Sequence, residues 1–438
     1  MNKTALSWGR YPATQQDLHP CVWRSDLSNK ISDLQHEYGT TLPFGNGRSY
    51  GDSCYADSGH ALHTKTLNRF IMVDWTLGVL RAEAGVTLSE ILELSIPRGW
   101  FLPVTPGTQF VTLGGAIAND VHGKNHHVRG TFGNHVRCFS LRRSNEPAML
   151  CSLEDNSSYF AATIGGLGLT GVIEWAEIAL MPIQSSQIDT TSIRFDRLTD
   201  FFTLAKDLDS RHEYGVAWID CLATGSRAGR GIFIAANHAQ EGALKTNLKN
   251  HLSIPVIPRF SIINGLTTRL FNTLNWHLQS AQTKNKSINF EPYFYPLDRV
   301  LQCNRLYGRK GFQQFQCVIP EHAAEPALAE ILVTIAKSKQ ASFLAVLKRC
   351  GDMTSPGLLS FPMSGTSLAI DFPNSQNLTQ TLLPKLDAIV RASRGRLYPA
   401  KDAHMTGEDF RNAYPAWTEV EKLRDPALNS QFWKRVTT

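Results

Sequence analysis

Glycines and histidines are concentrated in residues 104–136, which read VTPGTQFVTLGGAIANDVHGKNHHVRGTFGNHV. Gly107, Gly114 and Gly115 let the backbone turn sharply and approach a ligand with no Cβ in the way. Free backbone N–H groups in such turns form cradles for phosphate oxygens. The polar run that begins at His122 then supplies side chains at the edge of the same cavity. We interpret this stretch as the part of the chain that wraps the diphosphate and isoalloxazine of a flavin.

A second glycine-rich segment, PFGNGRSYGD, occupies residues 43–52. In one interpretation it is another phosphate cradle, with Ser49 and backbone amides donating hydrogen bonds. In the other it is a plain turn. Its pairing with the first stretch favours the cradle.

A third segment, GGLGLTG at 165–171, matches the spacing of the dinucleotide fingerprint through Gly166, Gly168 and Gly171. That fingerprint follows a strand and opens a helix. Here a helix-like segment precedes the glycines, and VIEWAEIAL alternates like a strand after them. We therefore reject a Rossmann site and predict a turn that faces the flavin.

Composition narrows the class of protein. The 438 residues are 42% hydrophobic and 19% charged, and the net charge is +6 with scattered Lys and Arg, so no nucleic-acid footprint is indicated. The eight cysteines form no CxxC pair, and no Cys/His spacing indicates a metal site. The first residues lack the apolar core of a signal peptide, and no 18 apolar residues run together. These features predict a cytoplasmic enzyme without a metal.

Local patterns place these segments on structural elements. A helix is expected from Ser25 to Tyr38, and a hairpin from the runs 70–75 and 79–84. Thr87 and Glu90 form a capping box that opens the next helix.

The polar run QSSQ near residue 185 indicates a boundary, after which six strand-like runs alternate with three helical ones up to residue 394. This pattern predicts an α+β domain with an antiparallel sheet. Because strand side chains alternate, Gln314 and Gln316 should share one face. Residues 253–278 are apolar and interrupted by two prolines and a glycine. They are either a packed insertion or a mobile lid that meets a lipid-bearing substrate or a membrane.

At these motifs the chain resembles a known family over nearly its whole length. It is similar to the flavin oxidoreductases of the vanillyl-alcohol-oxidase superfamily, and within it to the decaprenylphosphoryl-β-D-ribose 2-oxidases. The motifs are GRSYGD (47–52), PGT with TLGGAIANDVHGKNHH (106–127), FGNHVR (132–137), GLTG (168–171), AWID (217–220), YPLD (295–298), the QxQ pair with VIP (314–320), the strand ending in Lys348, DFP (371–373) and Ala-Lys-Asp (400–402).

The resemblance implies a PCMH-type FAD-binding domain made of residues 1–185 and a returning C-terminal segment, 395–438, with the substrate domain 186–394 inserted between them. Related oxidases carry a covalently flavinylated histidine near the position of Arg48, so non-covalent FAD is expected here. The residues expected to bind FAD are Gly45, Asn46, Gly47, Arg48, Ser49, Tyr50, Gly51, Pro106, Gly107, Thr112, Gly114, Gly115, Ala118, Asn119, His122, Gly123, Asn125, His127, Gly171, Val172, Ile173 and Ala400.

The implied reaction is oxidation of the ribose 2-hydroxyl of a polyprenyl-phosphoryl ribose, with hydride passing to flavin N5. A partner short-chain dehydrogenase/reductase would reduce the 2-keto sugar to the arabinose epimer. Lys401, as holder or base of the hydroxyl, and His122 are the expected catalytic residues. The expected substrate-binding residues are Trp218, Phe294, Gln314, Gln316, Lys348, Ser367, Ala369, Asp371 and Lys401. A lipid-linked substrate implies peripheral contact with the inner face of the membrane.

Simpler roles remain open for several of these residues. His126 and His127 fit structural histidines, Lys348 an ion-pair partner and Trp218 an ordinary core residue.

The chain departs from the family at Phe294, where a tyrosine is usual, and at Ser367 and Ala369, where an asparagine and a cysteine are usual. Ala369 removes the thiol that covalent inhibitors of the family use. Two other functions stay open: an aldonolactone or alditol oxidase that uses O₂, and a flavin-binding scaffold without activity.

Overall fold

The computed structural model of the protein describes residues 3–246, 252–279 and 282–438. Its strands, in chain order, are β1 (Lys3–Ala5), β2 (Gln16–Pro20), β3 (Pro43–Phe44), β4 (His60–His63), β5 (Phe70–Asp74), β6 (Val79–Glu83), β7 (Trp100–Phe101), β8 (Val136–Arg142), β9 (Met149–Ser152), β10 (Val172–Ala179), β11 (Met181–Pro182), β12 (Gln187–Phe195), β13 (Tyr214–Ile219), β14 (Gly231–His238), β15 (Leu252–Ser253), β16 (Lys284–Asn289), β17 (Val300–Leu301), β18 (Phe312–Pro320), β19 (Ala345–Cys350), β20 (Gly365–Pro373) and β21 (Arg396–Leu397).

The α-helices of the same residues are α1 (Leu27–Tyr38), α2 (Leu88–Ser95), α3 (Leu113–Ala118), α4 (His126–Arg129), α5 (Ser157–Thr163), α6 (Leu198–Leu208), α7 (Gly265–Leu278), α8 (Phe290–Phe294), α9 (Glu321–Ser338), α10 (Leu383–Ala392), α11 (Gly407–Ala413), α12 (Trp417–Leu423) and α13 (Gln431–Thr437). None of the described helices is long and apolar enough to cross a bilayer.

Three larger sheets organise the described residues. The first has the strand order β1-β2-β4-β3, the second β5-β6-β10-β8-β9, and the third β16-β12-β14-β13-β19-β20-β18-β21. Every pairing within the third sheet is antiparallel. The mixture of helices with antiparallel sheets confirms the expected α+β class.

The eight-stranded sheet has a covered face and an open face. Helices α6, α9 and α10 pack on the covered face, where Phe315, Cys317 and Ile319 of β18 join Leu328 and Ile331 of α9 in one apolar core. All nine residues of β18 are nevertheless buried, because Gln314 and Gln316 point from the other face into the interior of the protein. The open face, which carries Gln314 and Gln316, therefore lies toward the first half of the chain.

Local signals in the first half gave the expected elements. Helix α1 starts at Leu27 rather than Ser25, because a short 3₁₀ turn precedes it. The predicted hairpin is β5–β6, and Gly78 in its turn has a φ of +64°. The capping box is confirmed: Glu90 Oε2 accepts from Thr87 N at 2.7 Å, and Thr87 Oγ1 accepts from Glu90 N at 3.3 Å.

The last residues of the chain pack against the glycine-rich segment of residues 43–52 and its surroundings. Thr41 forms a bridge with Leu428, and Ala56 forms one with Ser430. The guanidinium of Arg435 donates to both carboxylate oxygens of Asp52, at 2.8 and 2.9 Å. Strand β21, at the start of this segment, instead extends the eight-stranded sheet next to β18.

Candidate active site

A cavity of about 1030 Å³ lies between the glycine-rich segments and the open face of the eight-stranded sheet. One wall comes from the loop after β3 and from the segment that contains α3. The other comes from β12, β13, β14, β18, β19 and β20. Both walls meet at the 3₁₀ turn Pro399–Lys401.

The glycine wall is built by close contact between two loops. Thr112 caps α3, and its Oγ1 accepts from Gly115 N at 3.2 Å. A Cβ at Gly45 would lie 2.4 Å from the same oxygen, so only glycine fits there. Within the described part of the chain, nothing accepts from the backbone N–H groups of residues 46–49. These amides at the cavity wall form an anion cradle of the kind that binds a diphosphate.

Arg48 lies in this wall between two aromatic rings. Its guanidinium carbon is 4.2 Å from the centre of the Trp8 ring and 5.3 Å from that of Phe110. Its buried Nε has no hydrogen-bond partner among the described residues. Burial lowers the pKa of Arg48 and the charge of Asp298 opposes this, yet arginine stays protonated in proteins. Arg48 therefore places a desolvated positive charge beside the cradle.

His122 is buried at the centre of the cavity and is held by Gln316. The two Nε2 atoms are 3.1 Å apart. Burial and the charge of Lys348 lower the pKa of His122 well below its usual value, so the imidazole is neutral. Because the Gln316 amide nitrogen can only donate, His122 Nε2 accepts and Nδ1 carries the proton. No described protein group accepts from that Nδ1, which makes it available to a bound molecule.

Lys401 is presented to the cavity by the turn that joins the two walls. Tyr50 N donates to Ala400 O at 3.0 Å, and the Lys401 ammonium lies 3.8 Å from the centre of the Tyr50 ring. Burial lowers the pKa of Lys401 to about 7; the charge of Asp371 opposes this, and that of Lys348 adds to it. A lysine with a pKa near neutrality can act as a general base.

Asp371, on β20, lies close enough to Lys401 for the two charges to interact. Its Oδ1 accepts from Gln314 Nε2 at 2.5 Å, and burial raises the pKa of its carboxyl to about 7. The positive charge of Lys401 favours the carboxylate. Two neighbouring groups with similar pKa values titrate together, so the pair holds one proton in an intermediate pH range.

Two more buried lysines face the same cavity. Lys348 donates to Gly123 O at 3.2 Å, and burial lowers its pKa to about 8. Lys124 donates to the carbonyls of Tyr293 and Phe294, and burial lowers its pKa to about 7. Three amines in one low-dielectric cavity favour an anionic ligand.

The sheet wall is a row of cross-strand neighbours. Trp218 pairs with Val346, Val346 with Ala369, and Ala369 with Gln316, so the four side chains share one face. The indole of Trp218 donates to Phe343 O at 3.0 Å, which fixes the ring against the cavity.

Most of the residues expected from the sequence line this cavity, and four do not. Gly51 packs on Asp402, where a Cβ would lie 1.5 Å from the carbonyl oxygen. Asn125 donates to Pro103 O at 2.8 Å, and His127 Nε2 lies 3.2 Å from His212 O. Asp371 lies behind Gln314. These four support the wall from outside because their side chains or backbone are engaged in protein contacts.

Several cavity residues were missed by the sequence reasoning. Lys124 stands within the polar run that begins at His122, which was expected at the cavity edge, but Lys124 itself was given no binding role. Tyr398 stands two residues before Ala400, so a signal was present there; its hydroxyl donates to Asn119 O at 2.8 Å. Trp8 lies in a segment without any motif, and only the three-dimensional fold brings it to Arg48.

Comparison with known proteins identifies the class of protein to which this site belongs. The FAD binding domain family matches residues 25–145, which contain both glycine-rich loops of the wall. The fold and the site thus define an FAD-dependent oxidoreductase of the PCMH-type FAD-binding superfamily, as expected.

The relatives narrow this further. The chain is 33% identical to decaprenylphosphoryl-beta-D-ribose oxidase of Mycolicibacterium smegmatis, over 97% of this chain and 95% of that protein. It is also 33% identical to an uncharacterized protein in the mprA 5' region of Streptomyces coelicolor, over 77% of this chain and 95% of that one. A putative D-arabinono-1,4-lactone oxidase of Neurospora crassa is 25% identical over 44% of this chain and 34% of its own length. The chain belongs to the decaprenylphosphoryl-beta-D-ribose oxidase family, which confirms the resemblance.

Proposed function

We propose that this protein oxidises the 2-hydroxyl of a polyprenyl-phosphoryl ribose to the 2-keto sugar, the first half of a ribose-to-arabinose epimerisation. The name of the Mycolicibacterium relative, decaprenylphosphoryl-beta-D-ribose oxidase, supports the substrate. The observation that carries the chemistry is the buried Lys401 amine with a pKa of about 7, in a cavity that also contains an anion cradle.

FAD fits the glycine wall. The free amides of residues 46–49 and the capped end of α3 suit a diphosphate, and a Cβ at Gly107 would meet nothing within 4 Å, so this loop is open to the ring system. Bound there, FAD supplies at N5 the acceptor for the hydrogen of C2 with its electron pair. The family resemblance puts Arg48 near the position of the flavinylated histidine of related oxidases, and a protonated guanidinium is no nucleophile. Acid precipitation should therefore release all the flavin.

Lys401 takes the proton of the 2-hydroxyl as the carbon–hydrogen bond breaks. About half of its amine is unprotonated at a pH equal to its pKa. Asp371, held by Gln314, stabilises the ammonium that forms. His122, as the Nδ1–H tautomer, donates to the sugar or to the cofactor and positions it. The proton of the hydroxyl thus ends on Lys401, where the Asp371 carboxylate balances the new positive charge.

The other amines suit the phosphate. Lys348 and Lys124 lie on the sheet side and the loop side of the cavity, and among the described residues both hydrogen-bond only to backbone carbonyls. A phosphodiester is a better partner for an ammonium than a neutral carbonyl. Trp218 and Phe294 supply apolar surface for the sugar face or the first prenyl unit.

The cofactor-binding part comprises residues 1–185 and 395–438 in this proposal, and 186–394 form the inserted substrate part. The bond between Arg435 and Asp52 supports the return of the tail. A separate short-chain dehydrogenase/reductase would complete the epimerisation, and the lipid tail of the substrate would require contact with a membrane.

A sugar-lactone oxidase that uses O₂ is the alternative, favoured by the partial similarity to the Neurospora protein. Anaerobic mixing with polyprenyl-phosphoryl ribose separates the two. Bleaching of the flavin absorbance supports the proposed substrate. Bleaching only by a soluble lactone or alditol establishes the alternative. Flavin that no sugar reduces would indicate a scaffold and refute both.

A further inference from the structure

Helix α7 is oriented with its apolar face toward solvent. Leu266, Leu270, Leu274 and Leu278 repeat every four residues along one side and are 51 to 80% exposed. An amphipathic helix of a globular domain normally turns this face to the core. The preceding segment adds Val256, Phe260 and Ile262, each at least half exposed.

The opposite, polar face of α7 is anchored inside the protein. Thr268, Asn272 and Trp276 are at most 5% exposed. Asn272 Nδ2 donates to Asp220 Oδ1 at 2.9 Å, and Arg230 donates to Asp220 Oδ2 at 2.7 Å. These buried polar contacts fix the orientation of the helix, so the outward leucines are built into the fold.

The sequence around the helix is basic. Between Glu241 and Glu291 the sequence has no acidic residue and six Lys or Arg, whereas the whole chain has 44 Lys or Arg and 38 Asp or Glu. The rest of the chain is thus balanced at 38 of each, and this stretch carries the entire net charge of +6. Arg259 and Arg269 are exposed beside the leucines.

We propose that the outward face of α7, with the segment 254–262, docks on an anionic phospholipid bilayer. Apolar side chains surrounded by basic ones are typical of interfacial helices. A second copy of the chain would set the same positive surface against itself, because a two-fold interface pairs like with like. The choice of a lipid surface rests in part on the proposed function, since a polyprenyl substrate resides in a bilayer.

Helix α7 lies beside the cavity, so docking of this helix would bring the cavity close to the bilayer. Phe271, Asn275 and Gln279, between the leucine row and the anchored face, line the cavity, as do Lys284 and Lys286 of β16. A helix lying on the bilayer thus places this side of the cavity next to the membrane. A lipid-linked sugar phosphate could enter without its tail crossing water.

Co-sedimentation of the FAD-bound protein with vesicles of phosphatidylglycerol and phosphatidylcholine, without substrate, tests the proposal. Leu266→Ser/Leu270→Ser/Leu274→Ser should weaken binding at least tenfold. Arg259→Gln/Arg269→Gln should weaken it about tenfold on these vesicles and hardly on pure phosphatidylcholine. The matched control is Leu77→Ser/Leu153→Ser, at two leucines that are 68 and 72% exposed elsewhere, and it should bind as wild type.

Wild-type protein that ignores the anionic vesicles, or a triple variant that binds them normally, would overturn the proposal. The proposal would also be overturned if wild-type protein does not bind the vesicles but forms a dimer in sedimentation velocity, and the triple variant is monomeric. Flavin bleaching by a short-chain, water-soluble substrate analogue is measured separately. It should be equal in wild type and triple variant, so a failure of docking is distinguishable from a failure of the proposed reaction.

Discussion

Replacement of Lys401 by arginine separates a proton-accepting role from a purely electrostatic one. At pH 7 about half of the Lys401 amine is unprotonated if its pKa is about 7. Arginine keeps the positive charge and stays protonated, because its pKa lies far above neutrality. General-base catalysis contributes roughly 10²- to 10⁴-fold, or about 2.7 to 5.4 kcal/mol of the barrier. We expect the rate of flavin reduction to fall by this factor.

The assay is anaerobic stopped-flow absorbance of the flavin over a pH series, with substrate varied at each pH. In wild type the rate should rise about tenfold per pH unit below pH 7 and level off above it, because only the unprotonated amine accepts the proton. In Lys401→Arg this dependence should vanish. In Asp371→Asn the rise of the rate with pH should occur at lower pH than in wild type, because the Asp371 carboxylate raises the pKa of Lys401.

Flavin content of each variant serves as the folding control, and Lys434→Arg, at an exposed ion pair with Asp57, is the matched surface change. The reasoning is refuted if the rate of flavin reduction in Lys401→Arg is within threefold of the wild-type rate. It is also refuted if that rate keeps the wild-type dependence on pH. Lys401 would then hold the hydroxyl by charge alone.

Three further perturbations test the walls of the cavity. Gly51→Ala should lower the free energy of unfolding by roughly 3 kcal/mol and lower the flavin content, because its Cβ would lie 1.5 Å from Asp402 O. A urea unfolding curve that matches wild type would contradict this. Arg435→Met should cost about 3 to 5 kcal/mol at pH 7, because Asp52 and Asp402 lose a buried partner. Arg435 lowers the pKa of Asp402. The loss of unfolding free energy in Arg435→Met should therefore become smaller as the pH falls toward 4 and the carboxylates become protonated. A loss that does not depend on pH would exclude the carboxylates as its cause. Ala369→Cys should gain an adduct at residue 369 with thiol-directed covalent inhibitors of the family, whereas wild type should show none there by peptide mass spectrometry.

The sequence contained what local chemistry determines. The capping box at Thr87, the hairpin around Gly78 and the strand after Gly171 depend on neighbours within a few residues, and each was found as expected. The glycine-rich loops were recognisable because only glycine tolerates such close backbone contact. The family resemblance then joined these loops to Lys401.

What depends on side-chain direction could not be predicted. Asn125 and His127 stand in the motif, yet their partners Pro103 and His212 come from other segments and draw them away from the cavity. Strand β16 reads KNKSIN without an apolar residue on alternate positions, and it is a strand because β12 pairs with it. Helix α7 follows a helical period, but periodicity does not say which face is buried, and here the buried Asp220 and Arg230 decide it.

The bond between Arg435 and Asp52 also has a consequence for synthesis. The two residues are 383 positions apart, and Arg435 donates as well to Asp402, the residue after Lys401. A ribosome must therefore translate past residue 435 before the glycine-rich loop of residues 43–52 obtains this partner. We expect a chain that ends before residue 435 to lack the contacts that join this loop to the turn at Lys401. Such a chain should therefore bind less flavin than the full chain, so bound flavin would report that translation has passed residue 435.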